Sequence, residues 1–269
     1  MKNIKLLFIT ITLATTSSFY AQKANTKKGS EKPNIIFILA DDLGIGDVSC
    51  YGSDLNKTPI IDQLARGGIR FTHGYTAPLC GPSRAMILTG RYSFRTGVGD
   101  VVDGSNPKLN INENIFPKVL NIYSPNGISK ACIGKWHVTT SAPAGYNYPI
   151  TMGYDHYEGN LSGALGQPGQ LAIGYNNWTK ITNGVNSNCT NYATTENVNN
   201  AISYINSQPA TKPFYLHLAF NAPHTPYHLP PANLISNTTL SGTQADITAN
   251  PVPYFQAMVE AMDKEIGRF

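Results

Sequence analysis

The segment from Pro33 to Asp42 reads PNIIFILADD and joins an apolar run to two acidic residues. Residues 35–40 are all apolar and lack the alternation of a half-buried strand. A continuous run of this kind is typical of a strand that is covered on both faces in a parallel sheet. The segment therefore predicts a buried strand that is followed directly by Asp41 and Asp42.

The rest of the chain alternates between helix and strand patterns. Residues 58–68 (TPIIDQLARGG) carry a capping Thr58, a first-turn Pro59 and terminal glycines, which together predict a helix. Further helices are predicted at residues 83–89 and 196–206, and further strands at residues 69–71, 128–133 and 214–220. This alternation predicts an α/β fold in which a mostly parallel sheet is sandwiched by helices.

Chemically reactive residues follow three of the predicted strands. Asp41 and Asp42 follow the first strand. Lys135 and His137 follow the strand at residues 128–133, and His224 follows the strand at residues 214–220. Ligands of open α/β sheets bind at the carboxyl ends of the strands. We therefore expect these residues to face the same edge of the sheet.

Two regions have less regular patterns. Residues 138–190 are rich in Gly, Asn, Pro and Tyr, which predicts loops and short strands that shape a substrate cleft. Their aromatic side chains could stack on sugar rings or pack within the loops, and packing is the favoured interpretation for Tyr146, Tyr148, Tyr154, Tyr157, Tyr175 and Trp178. Residues 253–269 have apolar side chains at helical spacing and predict an amphipathic helix with a buried face.

Composition and the N-terminal segment restrict the class of protein. The 269 residues are 41% hydrophobic and 13% charged, with a net charge of +4, which indicates a globular protein and gives no basis for nucleic-acid binding. Residues 1–21 have the basic start, short apolar core and small residues of a signal peptide. We predict a polar linker at residues 22–32 and a globular domain at residues 33–269. We expect a secreted or periplasmic protein without stable membrane insertion.

The four cysteines have different surroundings. An even number in an exported protein suggests disulfides, but Cys50 and Cys132 lie in apolar or near-strand contexts that favour buried thiols. Cys189 lies in a polar loop, where its state is open. Cys80 precedes Pro-Ser-Arg at a predicted helix start. It could be a structural thiol or a nucleophile, although its neighbours differ from those of tyrosine phosphatases and papain-like enzymes.

The acids and histidines also leave two interpretations open. Repulsion between Asp41 and Asp42 is relieved if a cation lies between them, and oxygen ligands favour calcium or magnesium. The alternative is a pair of solvated or helix-capping acids. His137 and His224 could transfer protons in catalysis or could be structural.

Residues 78–90 (PLCGPSRAMILTG) resemble a signature of the sulfatase family. The pattern Cys-x-Pro-x-Arg is formed by Cys80, Pro82 and Arg84. Residues 127–137 (GISKACIGKWH) approximate the family's second signature, with departures at Ile128 and Lys130. The stretches at residues 33–42, 58–66 and 222–224 are similar to other landmarks of the family. The resemblance runs from residue 33 to the end of the chain and implies an alkaline-phosphatase-like or sulfatase-like fold.

The resemblance implies that Cys80 is a precursor of the reactive group. In sulfatases a maturation enzyme oxidises this cysteine to Cα-formylglycine, whose hydrate has two hydroxyl groups on one carbon. One hydroxyl attacks sulfur and expels the alcohol, which leaves a covalent sulfate intermediate, and deprotonation of the other hydroxyl re-forms the carbonyl and expels sulfate. The implied activity is hydrolysis of sulfate esters, on a sulfated small molecule or a sulfated polysaccharide.

The resemblance also implies a role for each site residue. Asp41, Asp42 and the modified Cys80 would bind Ca²⁺, or Mg²⁺ in its place. Arg84 would hold the formylglycine hydroxyl, and Lys135 would neutralise the sulfate. His137 would take the proton from the hydrate. His224 would bind the sulfate or protonate the leaving oxygen.

Members of the family are longer than this chain. Beyond the segment that matches residues 253–269 they carry an Asp-Asn pair that completes the metal shell and a further active-site lysine. We therefore expect the 269-residue chain alone to hydrolyse sulfate esters poorly or not at all. The alternatives are a phosphonate or phosphate ester hydrolase of the same superfamily and a non-catalytic fragment that binds sulfated glycans.

Overall fold

The computed structural model describes residues 32–102, 108–124, 127–139, 145–165 and 174–269. The described residues from Pro33 onward belong to one compact unit. The predicted signal peptide and residues 22–31 of the predicted linker lie outside the described residues. Among the helices described, none has the length and apolar character needed to cross a membrane.

The described strands form one sheet with the order β1-β6-β2-β3-β4-β5. The first four strands in this order are parallel, and β4 and β5 continue the sheet as an antiparallel pair. The strands are β1 (Ile35–Asp41), β2 (Ser129–Lys135), β3 (His156–Asn160), β4 (Trp178–Thr182), β5 (Val185–Cys189) and β6 (Phe214–Pro223). The predicted α/β class and mostly parallel sheet are confirmed.

Helices follow most of the parallel strands. The α-helices are α1 (Pro59–Gly67), α2 (Cys80–Thr89), α3 (Phe116–Tyr123), α4 (Tyr148–Thr151), α5 (Ala193–Ser207), α6 (Gln244–Ala249) and α7 (Pro251–Ile266). The predicted helices at residues 58–68, 83–89, 196–206 and 253–269 are confirmed within a few residues. The predicted strand at residues 69–71 is wrong, because Ile69 and Phe71 are 86% and 73% exposed and pair with no strand of the described chain.

Side chains alternate between the two faces of the sheet and build two hydrophobic clusters. On β6, Leu216, Leu218 and Phe220 join the cluster that contains residues of α5 and α7. Tyr215 of the same strand belongs to the opposite cluster, which includes Ala85 of α2. Successive strand residues point to opposite faces, so this distribution places helices on both sides of the sheet.

Several aromatic residues of the loop-rich region and two of the cysteines are buried. The favoured packing interpretation is confirmed for the buried side chains of Tyr148, Tyr154, Tyr157, Tyr175 and Trp178. All four cysteines are free thiols. The buried thiol predicted at Cys132 is confirmed, Cys189 is also buried, and the prediction for Cys50 is wrong because that residue is only half-buried.

A close approach between β2 and β6 shapes the start of the site. A Cβ atom at Gly134 would lie 1.9 Å from the carbonyl oxygen of Ala219, and Gly134 has a φ of +100°. Only glycine combines this approach with this backbone conformation. The conformation occurs directly before Lys135, where the chain leaves the sheet.

Candidate active site

A cavity of about 490 Å³ lies at the carboxyl end of β1. One wall is formed by the end of β1 and the following loop, and the other by the start of α2. Its polar lining comes from Asp41, Asp42, Asp47, Thr76, Cys80, Ser83 and Arg84. The cavity therefore brings together the first predicted strand end and the predicted nucleophile, which are far apart in sequence.

Cys80 is the first residue of α2 and contacts His137. The Cys80 Sγ lies 3.2 Å from the His137 Nδ1. His137 is 1% exposed, and burial, followed by the charges of Lys135 and Arg84, lowers its pKa to about 3. The imidazole is therefore neutral near pH 7, and its Nδ1 lies within hydrogen-bond distance of the side chain at residue 80.

Asp41 is the centre of a buried charge cluster. It forms ion pairs with the Lys135 ammonium group and, at 3.3 Å from Oδ1 to Nη2, with the Arg84 guanidinium group. Burial alone would raise the pKa of the Asp41 carboxyl, but the charges of Arg84 and Lys135 outweigh it and lower the pKa. Arg84 also donates a 2.7 Å hydrogen bond to the backbone carbonyl of Lys135.

Asp42 and His224 form a more exposed pair at the same edge. The His224 Nε2 lies 3.6 Å from the Asp42 Oδ2, and the Asp42 side chain is 62% exposed. Asp42 has a φ of +62°, so the backbone turns sharply between the two aspartates. Tyr175 supports the other side of His224 through a 2.8 Å hydrogen bond to its backbone carbonyl.

The prediction that these residues share one edge of the sheet is thus confirmed. His137 contacts Cys80, Lys135 contacts Asp41, and His224 faces Asp42. Two contacts of these residues were not part of the prediction. Lys135 is fully buried against Asp41, and the Arg84 guanidinium contacts Asp41 and the Lys135 backbone.

The donor set at the cavity fits a hard divalent cation in part. Asp41 and Asp42 both line the cavity and offer the carboxylate oxygens that calcium prefers. Calcium takes about six to eight oxygens, however, and no group of three or more His, Cys, Asp or Glu residues in the described chain is arranged to hold a metal. These aspartates would be two ligands of a larger shell.

Two contacts at the site, one made by a glycine and one by a tyrosine, are not indicated by any local sequence pattern. A Cβ atom at Gly163 would lie 2.7 Å from the Cε1 and Nε2 atoms of His137, so the imidazole packs against bare backbone. Tyr175 holds the carbonyl of His224, 49 residues away. Only the folded arrangement shows that both residues support the site.

Comparison with known proteins identifies the family to which the chain belongs. The sulfatase family model matches residues 33–269. The chain belongs to the sulfatase family. Human arylsulfatase D is 43% identical over 140 residues, which cover 48% of this chain and 23% of that protein. The N-acetylglucosamine-6-O-sulfatase of Bacteroides thetaiotaomicron is 32% identical over 223 residues, which cover 82% of this chain and 36% of that protein.

Solved structures support the fold. The crystal structure of Ps i-CgsB superposes with a TM-score of 0.71 and 31% identity, covering 88% of this chain and 54% of that chain. A second structure of that protein, in complex with k-i-k-neocarrahexaose, has a TM-score of 0.68. This sulfatase chain therefore spans about half the length of Ps i-CgsB and smaller fractions of the two sulfatases named above.

Proposed function

We propose that the protein hydrolyses sulfate esters of a sulfated glycan, with formylglycine at position 80 and Ca²⁺ as cofactor. The observation that carries the proposal is the contact between Cys80 and a neutral, buried His137 beside the charge cluster of Asp41, Lys135 and Arg84. Hydrolysis of an anionic ester requires a nucleophile next to a base. It also requires nearby cations that stabilise the negative charge of the ester.

The named relatives favour a sugar substrate. One is called an N-acetylglucosamine-6-O-sulfatase, and another has been solved with a bound neocarrahexaose. We extend this substrate class, a sulfated glycan, to the present chain. Export through the predicted signal peptide would bring the protein to such glycans outside the cytoplasm.

The residues of the chain have separable tasks in this proposal. The His137 imidazole holds the proton released at residue 80, because its Nδ1 faces that side chain. Arg84, Lys135 and the N-terminus of α2 supply positive potential for the sulfate. His224, which is half-buried and faces the cavity residue Asp42, is placed to bind the sulfate or to protonate the leaving oxygen.

Two groups complete the chemistry. Formylglycine, made from Cys80 by a formylglycine-generating enzyme, supplies a hydrated aldehyde as a nucleophile that can also release sulfate. Ca²⁺ would be held by Asp41, Asp42 and the modified residue 80 as part of a larger shell, and it would supply Lewis acidity towards the sulfate.

Sulfate release tests the proposal. The protein is produced with a formylglycine-generating enzyme and incubated with neocarrahexaose, 6-sulfated N-acetylglucosamine oligosaccharides and an aryl sulfate, with an aryl phosphonate for comparison. We expect Ca²⁺-dependent sulfate release, weak for the 269 residues alone, that Cys80→Ala abolishes and that Cys50→Ala, the replacement of another half-buried thiol, leaves intact.

The two alternatives give different results in the same assay. Faster turnover of the phosphonate than of every sulfate ester would identify a phosphonate or phosphate ester hydrolase. Binding of sulfated oligosaccharides without any turnover would identify a non-catalytic glycan-binding protein.

A further inference from the structure

A second cavity, of about 340 Å³, lies beside the segment that follows His224. Three stretches of chain line it: residues 174–176, residues 226–229 and the start of α6 with the residues before it. We call it the Tyr227 cavity. It is separate from the cavity at Cys80, with which it shares no lining residue.

The lining of the Tyr227 cavity suits an uncharged sugar ring. None of the described residues that line it is an acid, a lysine or an arginine. Pro226, Tyr227 and Leu229 supply apolar surface, and Asn176 and Tyr227 supply polar groups. A mixture of aromatic surface and a few amide or hydroxyl groups is typical of small-ligand sites.

Some polar side chains of this cavity form hydrogen bonds within the protein, whereas others can contact a ligand. Ser241 donates a 2.9 Å hydrogen bond to Asp246, and the hydroxyl of Tyr175 is bonded to His224. The Asn176 side chain is exposed, and the half-buried Tyr227 packs edge to face on Phe255 with 6.0 Å between ring centroids. The Tyr227 ring is therefore held in place at the cavity wall.

The Tyr227 cavity is tied to the proposed active site by its position in the chain. Pro226, in its wall, is two residues from His224, so their Cα atoms are at most about 7 Å apart. Tyr175, also in its wall, hydrogen-bonds the His224 carbonyl. The Tyr227 cavity therefore adjoins the segment that carries His224, which faces Asp42 in the lining of the first cavity.

We propose that the Tyr227 cavity binds a second sugar unit of the substrate, next to the unit whose sulfate lies at residue 80. This inference rests on the proposed function, and it specifies the substrate as an oligosaccharide or polysaccharide. None of the described lining residues is an acid, a lysine or an arginine, so the cavity suits an uncharged sugar ring better than a further sulfate group.

Calorimetry with three probes tests the Tyr227 cavity. The probes are neocarrahexaose, its desulfated form and a sulfated monosaccharide of the same sugar; 6-sulfated N-acetylglucosamine oligosaccharides and their monosaccharide form a second set. We expect Asn176→Ala and Tyr227→Ala to weaken oligosaccharide binding about fivefold to tenfold in at least one set, and to leave monosaccharide binding unchanged. Tyr123→Ala, the replacement of an exposed tyrosine on α3, should change neither.

Hydrogen exchange gives a readout that does not depend on a substitution. The oligosaccharide should protect peptides that contain residues 226–229, and the monosaccharide should not. Failure of both wild-type oligosaccharide sets to bind, equal binding by variants and wild type, or loss of monosaccharide binding in the variants would overturn the proposal. If no sulfate is released but the desulfated oligosaccharide binds through Asn176 and Tyr227, the proposed function fails and the Tyr227 cavity stands.

Discussion

The Asp41 carboxylate forms a buried ion pair with the Lys135 ammonium group, although 94 positions separate the two residues. Asp41 ends β1 and Lys135 ends β2, and β6 lies between these strands in the sheet. The pair therefore spans the end of β6 and holds together the ends of the two strands that flank it. Because Arg84 also contacts Asp41, two buried cations share one anion.

The charge balance of this cluster predicts an order of destabilisation. Asp41→Asn leaves two buried cations without an anion, and we expect it to lower the free energy of unfolding by about 3–5 kcal/mol. Lys135→Met should cost less, because Asp41 keeps Arg84 as its partner. Urea unfolding measures both. Lys264→Met, which removes a surface pair with Glu260, is the control and should cost less than about 1 kcal/mol. Equal losses for Asp41→Asn and the control would contradict this account.

A substitution at Gly163 should lower activity more than it lowers the stability of the fold. An added methyl group at Gly163 would contact the His137 ring at 2.7 Å and displace it from Cys80. We expect Gly163→Ala to lower kcat by about 10-fold to 100-fold, since a positioned base contributes at least that much. Sulfate release and thermal unfolding are measured together. Gly99→Ala is the control, because its Cβ would meet nothing within 4 Å. Wild-type kcat in Gly163→Ala would show that the ring position does not matter.

The burial of His217 should make the free energy of unfolding depend on pH. It lies on β6 with its Nδ1 3.0 Å from the Tyr154 hydroxyl, and burial, followed by the charge of Arg84, lowers its pKa to about 3. Below the ordinary pKa of about 6.5, the unfolded chain binds a proton that the folded chain does not. This one group therefore removes about 1.4 kcal/mol of stability per pH unit as the pH falls from about 6.5 towards 3.

Substitution isolates this contribution of His217. We expect the free energy of unfolding of His217→Gln to fall less steeply below pH 6.5 than that of wild type, by about 1.4 kcal/mol per pH unit. His73→Gln, at an exposed position, should keep the wild-type slope. Denaturant unfolding at a series of pH values gives the slopes. Identical slopes for His217→Gln and wild type would exclude His217 as the origin.

The strand ends of the site could be predicted because each strand is a local pattern. The apolar runs before Asp41, Lys135 and His224 fix where each strand stops, and parallel pairing brings the stops to one edge. The helix that begins at Cys80 has similarly local signals. The fold class and the gathering of the site therefore follow from sequence.

The pairing of side chains within the site could not be predicted. It depends on the close approach at Gly134, on the turn at Asp42 and on burial, which are properties of the assembled sheet. The strand predicted at residues 69–71 is wrong because the prediction used only local sequence. Its residues favour a strand, but among the described strands none lies beside it, and a strand requires a partner for its backbone groups.

The chemical state of residue 80 tests the account most directly. The protein is produced with a formylglycine-generating enzyme, and the mass of the tryptic peptide that spans residues 71–84 is measured. We expect a peptide in which residue 80 has lost one sulfur and two hydrogens and gained one oxygen, the change from cysteine to formylglycine. A peptide that retains the intact cysteine mass would contradict the account.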